Sequence, residues 1–183
     1  MGTGRHSILG IRSSDPVLSL AGAIGLGATL GVALVVDLTR EIPVKSPRTL
    51  GEIASEGPLQ AELSPGRRGV AVITGGGISD EDAIEVITGL GSHWPAVVVR
   101  VSHHDWPFPT VPVTPLLPGL LAPRAPRPPS VWQPVGRAER PPGPGPVLPR
   151  LPSSTLRRIL TGSLPRRSRW VEAWRPVWEL PWA

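Results

Sequence analysis

"DPVLSLAGAIGLGATLGVALVVD", residues 15–37, sets 21 uncharged residues between two aspartates. Whether this stretch crosses a membrane or fills a protein interior decides the fold. As a single helix rising about 1.5 Å per residue, residues 16–36 just cross a hydrocarbon layer of about 30 Å. Asp15 at an N-cap with Pro16 at the first helical position is a good start signal, and Gly27 and Gly31 form a GxxxG pair. Against a span, Gly22, Gly25, Gly27, Gly31, Ser19 and Thr29 dilute the apolar content and no aromatic residue sits at either end. Both flanks are basic, so the positive-inside rule assigns no orientation. The interior reading divides the run into a buried strand near Val17 to Leu20, a glycine-rich turn over "AGAIGLGAT", and an apolar helix or strand from Leu30 to Leu38. Glycine costs an exposed helix roughly 1 kcal/mol per residue, yet it suits a tight strand-to-helix turn. The expectation is a buried core, with a single-span protein anchored by residues 16–36 as the alternative.

The chain downstream supports an α/β reading. "SPRTLGEIASEGPLQAEL" carries Leu50, Ile53 and Ala54 at helical spacing and stops at Gly57-Pro58, which predicts one short helix. In "RRGVAVITGGGISDEDAIEVITGLGSHWPAVVVRVS", Val70 to Thr74 reads as a buried strand and Gly75 to Gly77 as a turn. Ser79 or Asp80 then caps a helix whose first turn holds Asp80, Glu81 and Asp82, where the helix dipole favours acids. Ala83, Ile84, Ile87 and Leu90 form its apolar face, Gly91 ends it, and Ala96 to Val101 is a second apolar strand. A β-α-β unit implies a small, mostly parallel sheet with flanking helices. Residues 1–14, polar and Gly/Ser-rich, read as a flexible leader or a short edge strand around Ile8 to Ile11, and residues 15–105 as the α/β core.

The rest of the chain differs in composition. Residues 1–105 carry 8 basic and 11 acidic residues, whereas residues 106–183 carry 11 and 3, so the net charge of +5 combines −3 with +8. Nineteen of the 25 prolines lie from Trp106 onward, which disfavours long helices and central strands there. Residues 106–150 therefore read as a Pro-rich extended segment with a possible edge strand at "SVWQPV". Residues 151–183 read as a helix, capped by Ser153 or Ser154 and stopped at Gly162, followed by a basic Trp-rich tail. The absence of cysteine excludes disulfides and thiolate metal sites.

"AIGLGAT" resembles a worn P-loop of the MinD/ParA family of partitioning and septum-placement ATPases, whose motif runs K-G-G-x-G-K-T-T. Gly25 and Gly27 match, and Thr29 falls on the hydroxyl that would hold magnesium. Ala23 and Ala28 replace both lysines, and a lysine on the β/γ-phosphates supplies much of the charge stabilisation in phosphoryl transfer. "ALVVDLT" resembles the family's second strand ending in aspartate, here Asp37, "TLGEIA" its next helix, and "GVAVITGGG" the strand after that. "AVVVRV" occupies the place of a strand that in the family ends in a magnesium-linked aspartate, a position bracketed here by Arg100 and Ser102. "PGPVLPRLPSSTLRRILTGSLP" is similar to a late segment of the family, so the resemblance covers residues 17–165. It implies a cytoplasmic protein, peripheral at the inner membrane, acting as a non-catalytic scaffold or regulator through protein contacts, a related ATPase among them, or through an anionic membrane surface. It implies no catalytic residue. Nucleotide binding by Gly25, Gly27, Thr29 and Asp37, with Arg67 or Arg68 replacing the lysine, is the enzymatic alternative.

The remaining features point to weaker chemistry. "TGGGISD" has the form of an anion-cradling turn, but its acids Asp80, Glu81 and Asp82 repel phosphate, and an ordinary β-α turn accounts for it. His103 and His104 point to opposite sides of extended chain, and His93 lies at the far end of the preceding strand, so no metal site is expected with Asp105. Trp170, Trp174, Trp178 and Trp182 recur every four residues beside Arg166, Arg167 and Arg169. They suit an interfacial membrane anchor, a docking peptide, or a tail folded back to complete the core. Nucleic acid is not favoured, because Tyr is absent and Phe108 is the sole phenylalanine.

Overall fold

A computed structural model describes residues 7–42, 44, 46–66, 69–102, 106–117, 129–136, 140–163 and 168–182. Its centre is a six-stranded, all-parallel sheet in the order β3-β2-β4-β1-β5-β6. The strands are β1 (Ile8–Arg12), β2 (Val32–Asp37), β3 (Gly69–Thr74), β4 (Val97–Arg100), β5 (Thr110–Leu116) and β6 (Val131–Pro134). Helices α1 (Pro16–Ala28), α2 (Leu50–Glu56), α3 (Gln60–Leu63), α4 (Asp80–Gly91), α5 (Ser153–Leu160) and α6 (Arg169–Glu172) flank it. The α/β class and parallel sheet expected from the sequence are what the chain adopts.

Residues 15–37 are mostly buried, as the interior reading expects, with a strand inside the expected Leu30 to Leu38 stretch, but the first part divides differently. Asp15 caps α1 by accepting from the Leu18 N–H at 3.0 Å, and Pro16 opens it. The helix then runs straight through the glycines to Ala28, and Val32–Asp37 is strand. The expected strand at Val17 to Leu20 and the turn over "AGAIGLGAT" are therefore helix. A single span over residues 16–36 is excluded as well, since 13 helical residues reach only about 20 Å. Among the described residues no helix is long and apolar enough to cross a membrane.

Strand alternation sends successive side chains to opposite faces and builds two cores. Leu9, Ile11, Ala33, Val35, Ala96 and Val98 face α1, while Leu34, Val36, Val97 and Val99 face α2 and α4. The β-α-β segment is as expected: Ser79 caps α4 through the Asp82 N–H, and Ala83, Ile87 and Leu90 are buried. Thr49 and Glu52 form a capping box on α2, and Gly57 closes that helix. The backbone N–H of Thr49, and then its hydroxyl, hold the exposed Glu52 carboxyl below its ordinary pKa. A depressed carboxylate pKa contributes stability above the unfolded value and loses it as pH falls through the folded one. Thr49→Ala, which removes the hydroxyl, is expected to return the Glu52 pKa part-way to normal in a side-chain NMR titration; an unchanged value would refute the bond.

Two further readings need correction. Ile8–Arg12 is neither leader nor edge strand but the sheet's centre, paired with β4 over Ile8 to Ile11 and with β5 over Gly10 to Arg12. Five residues suffice because Leu9 and Ile11 are fully buried. The Pro-rich segment supplies β5, an interior strand despite Pro112 and Pro115. It tolerates them by a handover: residues 110–112 pair with β1 and residues 113–116 with β6, so neither proline needs ladder bonds on both sides. "SVWQPV" does form the edge strand β6. Helix α5 is capped at Pro152, one residue before the expected serine caps and without a side-chain cap bond, and Gly162 follows it at φ 74°.

Both edges of the sheet are covered by irregular chain. Along β3, the Ser46 hydroxyl donates to the Val72 carbonyl at 3.2 Å and Thr49 bridges to Thr74. Along β6, the N–H groups of Ser130 and Trp132 donate to the carbonyls of Pro144 and Pro146. Such cover blunts edge-to-edge pairing.

Candidate functional site at the carboxyl ends of the strands

Open parallel sheets bind ligands beyond the carboxyl ends of the strands, where the connections diverge to opposite faces. Here α1 leaves β1 on one face, while α2 and α4 follow β2 and β3 on the other. Between them lies the end of β4, Arg100, in register with Asp37 of β2 and Ile11 of β1. Arg100 and Asp37 both turn toward the start of α1.

The Arg100 side chain is fully buried, and each of its three nitrogens is hydrogen-bonded. Its guanidinium donates to Asp37 Oδ2 at 2.9 Å, to Ser19 Oγ at 2.7 Å, to the Pro16 carbonyl at 3.0 Å and to Glu41 Oε2 at 2.9 Å. The other Asp37 oxygen accepts from the Thr39 N–H at 3.0 Å and hydroxyl at 2.8 Å. A buried ion costs several kcal/mol to desolvate unless paired and hydrogen-bonded, and this pair satisfies both conditions. The Glu41 side chain remains 48% exposed and closes the cluster from the solvent side.

The residues expected to bind nucleotide do not come together. Gly25 and Gly27 lie inside α1 and are buried, so neither contributes to a loop of free N–H groups. A Cβ on Gly25 would stand 2.6 Å from the Trp170 ring, which shows that this glycine makes room for an indole. Thr29 caps the far end of α1; its hydroxyl donates to the Leu26 carbonyl at 2.7 Å and accepts from Trp178 Nε1 at 3.1 Å. Only Asp37 stands at the carboxyl ends, already paired with Arg100. These residues do not fit a triphosphate and its magnesium. Arg67 and Arg68 lie outside the described residues.

The tail is placed just as unexpectedly. Trp170, Trp174, Trp178 and Trp182 are all buried, at 1%, 0%, 4% and 7% exposure, so they are unavailable as a membrane anchor or docking peptide. Trp170 and Trp174 meet edge-on at 5.5 Å against Gly22 and Gly25 of α1, and Trp170 Nε1 donates to Gln133 Oε1 at 2.6 Å. Of the expected contact arginines, Arg169 is exposed, while Arg166 and Arg167 lie outside the described residues, as do His103, His104 and Asp105. His93 is exposed, and no metal-binding cluster occurs among the described residues.

Beside the Arg100 cluster, a cleft of about 520 Å³ opens at the carboxyl ends of β2 and β3. Its floor is the turn Gly75 to Gly77, and Arg40 and Asp80 stand at its sides. Arg40 escaped the sequence reading because nothing local marks it. Arg100 does carry a signal, a charge inside an apolar strand that demands a partner. No family model, curated protein or solved structure matches the chain.

Proposed function

We propose that this protein is a non-catalytic scaffold or regulatory domain of MinD/ParA-like descent, acting through surface contacts with a protein partner. The observation that carries the reading is Arg100. It stands next to the position, bracketed by Arg100 and Ser102, where the resemblance puts a magnesium-linked aspartate and this chain has Val101, and its guanidinium engages Asp37, the acid at the end of the family-like second strand. A guanidinium fixed by four hydrogen-bonding partners beside Asp37 supports this reading, as does the replacement by Ala23 and Ala28 of the lysines that would meet a transferring phosphoryl group.

Exposed arginines on the α1 side of the sheet, Arg150, Arg157, Arg158, Arg169 and Arg175, supply the contact surface. They suit an acidic protein, with a related ATPase as the favoured partner, and peripheral contact with an anionic membrane belongs to the same reading. Purified protein is expected to show no ATP turnover with magnesium. Turnover that co-purifies with the chain and disappears in Asp37→Asn would overturn the proposal.

A further inference from the structure

The cleft over Gly75 to Gly77 lies outside the plugged crevice and has its own chemistry. Its volume of about 520 Å³ falls in the range of roughly 300–1,000 Å³ typical of small-ligand sites. Leu38, Ile42 and Ile78 give it an apolar wall. Its floor is bare backbone: Gly76 and Gly77 hold φ of 67° and 82°, a region that side chains disfavour. Their N–H groups meet no backbone acceptor among the described residues.

The cation at this floor is Arg40, whose Nη2 lies 2.9 Å from the point a Cβ on Gly77 would occupy. Successive residues of this loop serve different places, since Glu41 turns inward to Arg100 while Arg40 lines the cleft. Among the described residues Arg40 makes no hydrogen bond or ion pair, in contrast to Arg48, which is bonded to Glu56 and Glu62. The start of α4 is not the attraction, because Ser79 caps it and Asp80, Glu81 and Asp82 already occupy its first turn.

We propose that this cleft binds a small oxyanion, carboxylate or phosphate, carried on an apolar body, with the Arg40 guanidinium as the anion's partner and the apolar wall receiving the body. A guanidinium offers paired donors that match either oxyanion. The inference stands apart from the scaffold proposal, since it uses neither Arg100 nor the basic surface.

Butyrate, butyl phosphate and inorganic phosphate, titrated into the full chain and followed by amide NMR, test it. Saturable shifts at Gly75 to Gly77 are expected with butyrate or butyl phosphate, and the tighter of the two names the headgroup. Arg40→Gln, an exposed change that leaves the core intact, is expected to weaken that binding about tenfold or more, a difference of about 1.4 kcal/mol. Arg40→Lys is expected to restore part of it. The proposal is overturned by the absence of saturable shifts, by an equal Kd in Arg40→Gln, or by inorganic phosphate binding as tightly as butyl phosphate.

Discussion

Trp174→Ala is expected to lower the unfolding free energy by about 3–5 kcal/mol, the range for deleting a large buried aromatic side chain. Trp174 has no exposed surface. Its ring packs on α1 where a Cβ at Gly22 would come within 3.0 Å, and it meets Trp170 edge-on. Removing it opens a cavity between α1 and the tail that neither glycine can fill. The indole N–H adds a finer expectation. Trp174 Nε1 is buried without a hydrogen-bond partner among the described residues, whereas Trp170 Nε1 donates to the buried Gln133. Trp170→Phe would leave Gln133 Oε1 unsatisfied, at about 1–3 kcal/mol, while Trp174→Phe relieves an orphaned donor. Denaturant titration should therefore rank Trp174→Phe as the milder of the two phenylalanine variants. Equal losses would mean that ring volume alone governs the site.

Asp37→Ala is the second change with a large expected effect, about 3–5 kcal/mol, because it strands a buried guanidinium. Both side chains of the pair are fully buried. Replacing both partners, Asp37→Leu with Arg100→Met, is expected to be close to neutral, since well-packed apolar residues can substitute for a buried ion pair. The double-mutant cycle by urea unfolding then returns a coupling energy comparable to the single losses. Single variants that cost no more than the roughly 0–1 kcal/mol of a surface pair would show that water reaches the site. Glu41→Gln belongs in that small range, because its side chain is half exposed.

The segment from Gly69 to Arg100 was legible because strand and helix periods alternate cleanly there, with a cap at Ser79 and acids in the first turn. Residues 16–28 were misread for a physical reason. Glycine's low helix propensity argues for a turn, but tertiary packing overrides it: Gly22 and Gly25 clear a groove for indoles about 150 residues away in the sequence. The Trp spacing and the glycine spacing are each visible, but their complementarity is a property of the fold. The same distance in sequence hid the site. Asp37 could be placed at a strand end and Arg100 noticed in an apolar strand, yet only the parallel register of β2 and β4 sets them side by side. In β5 the prolines pointed away from a strand, because the handover between two neighbours leaves no local trace.

The dependence of α1 on the tail also constrains the order of events during synthesis. Residues 16–28 emerge from the ribosome early, yet their cover, residues 170–182, is made some 140 residues later. At about 5–20 residues per second, the nascent chain carries a bare, glycine-grooved apolar helix for roughly 7 to 30 s. During that interval α1 is a natural substrate for chaperones, and a premature stop before Ser168 would make the exposure permanent.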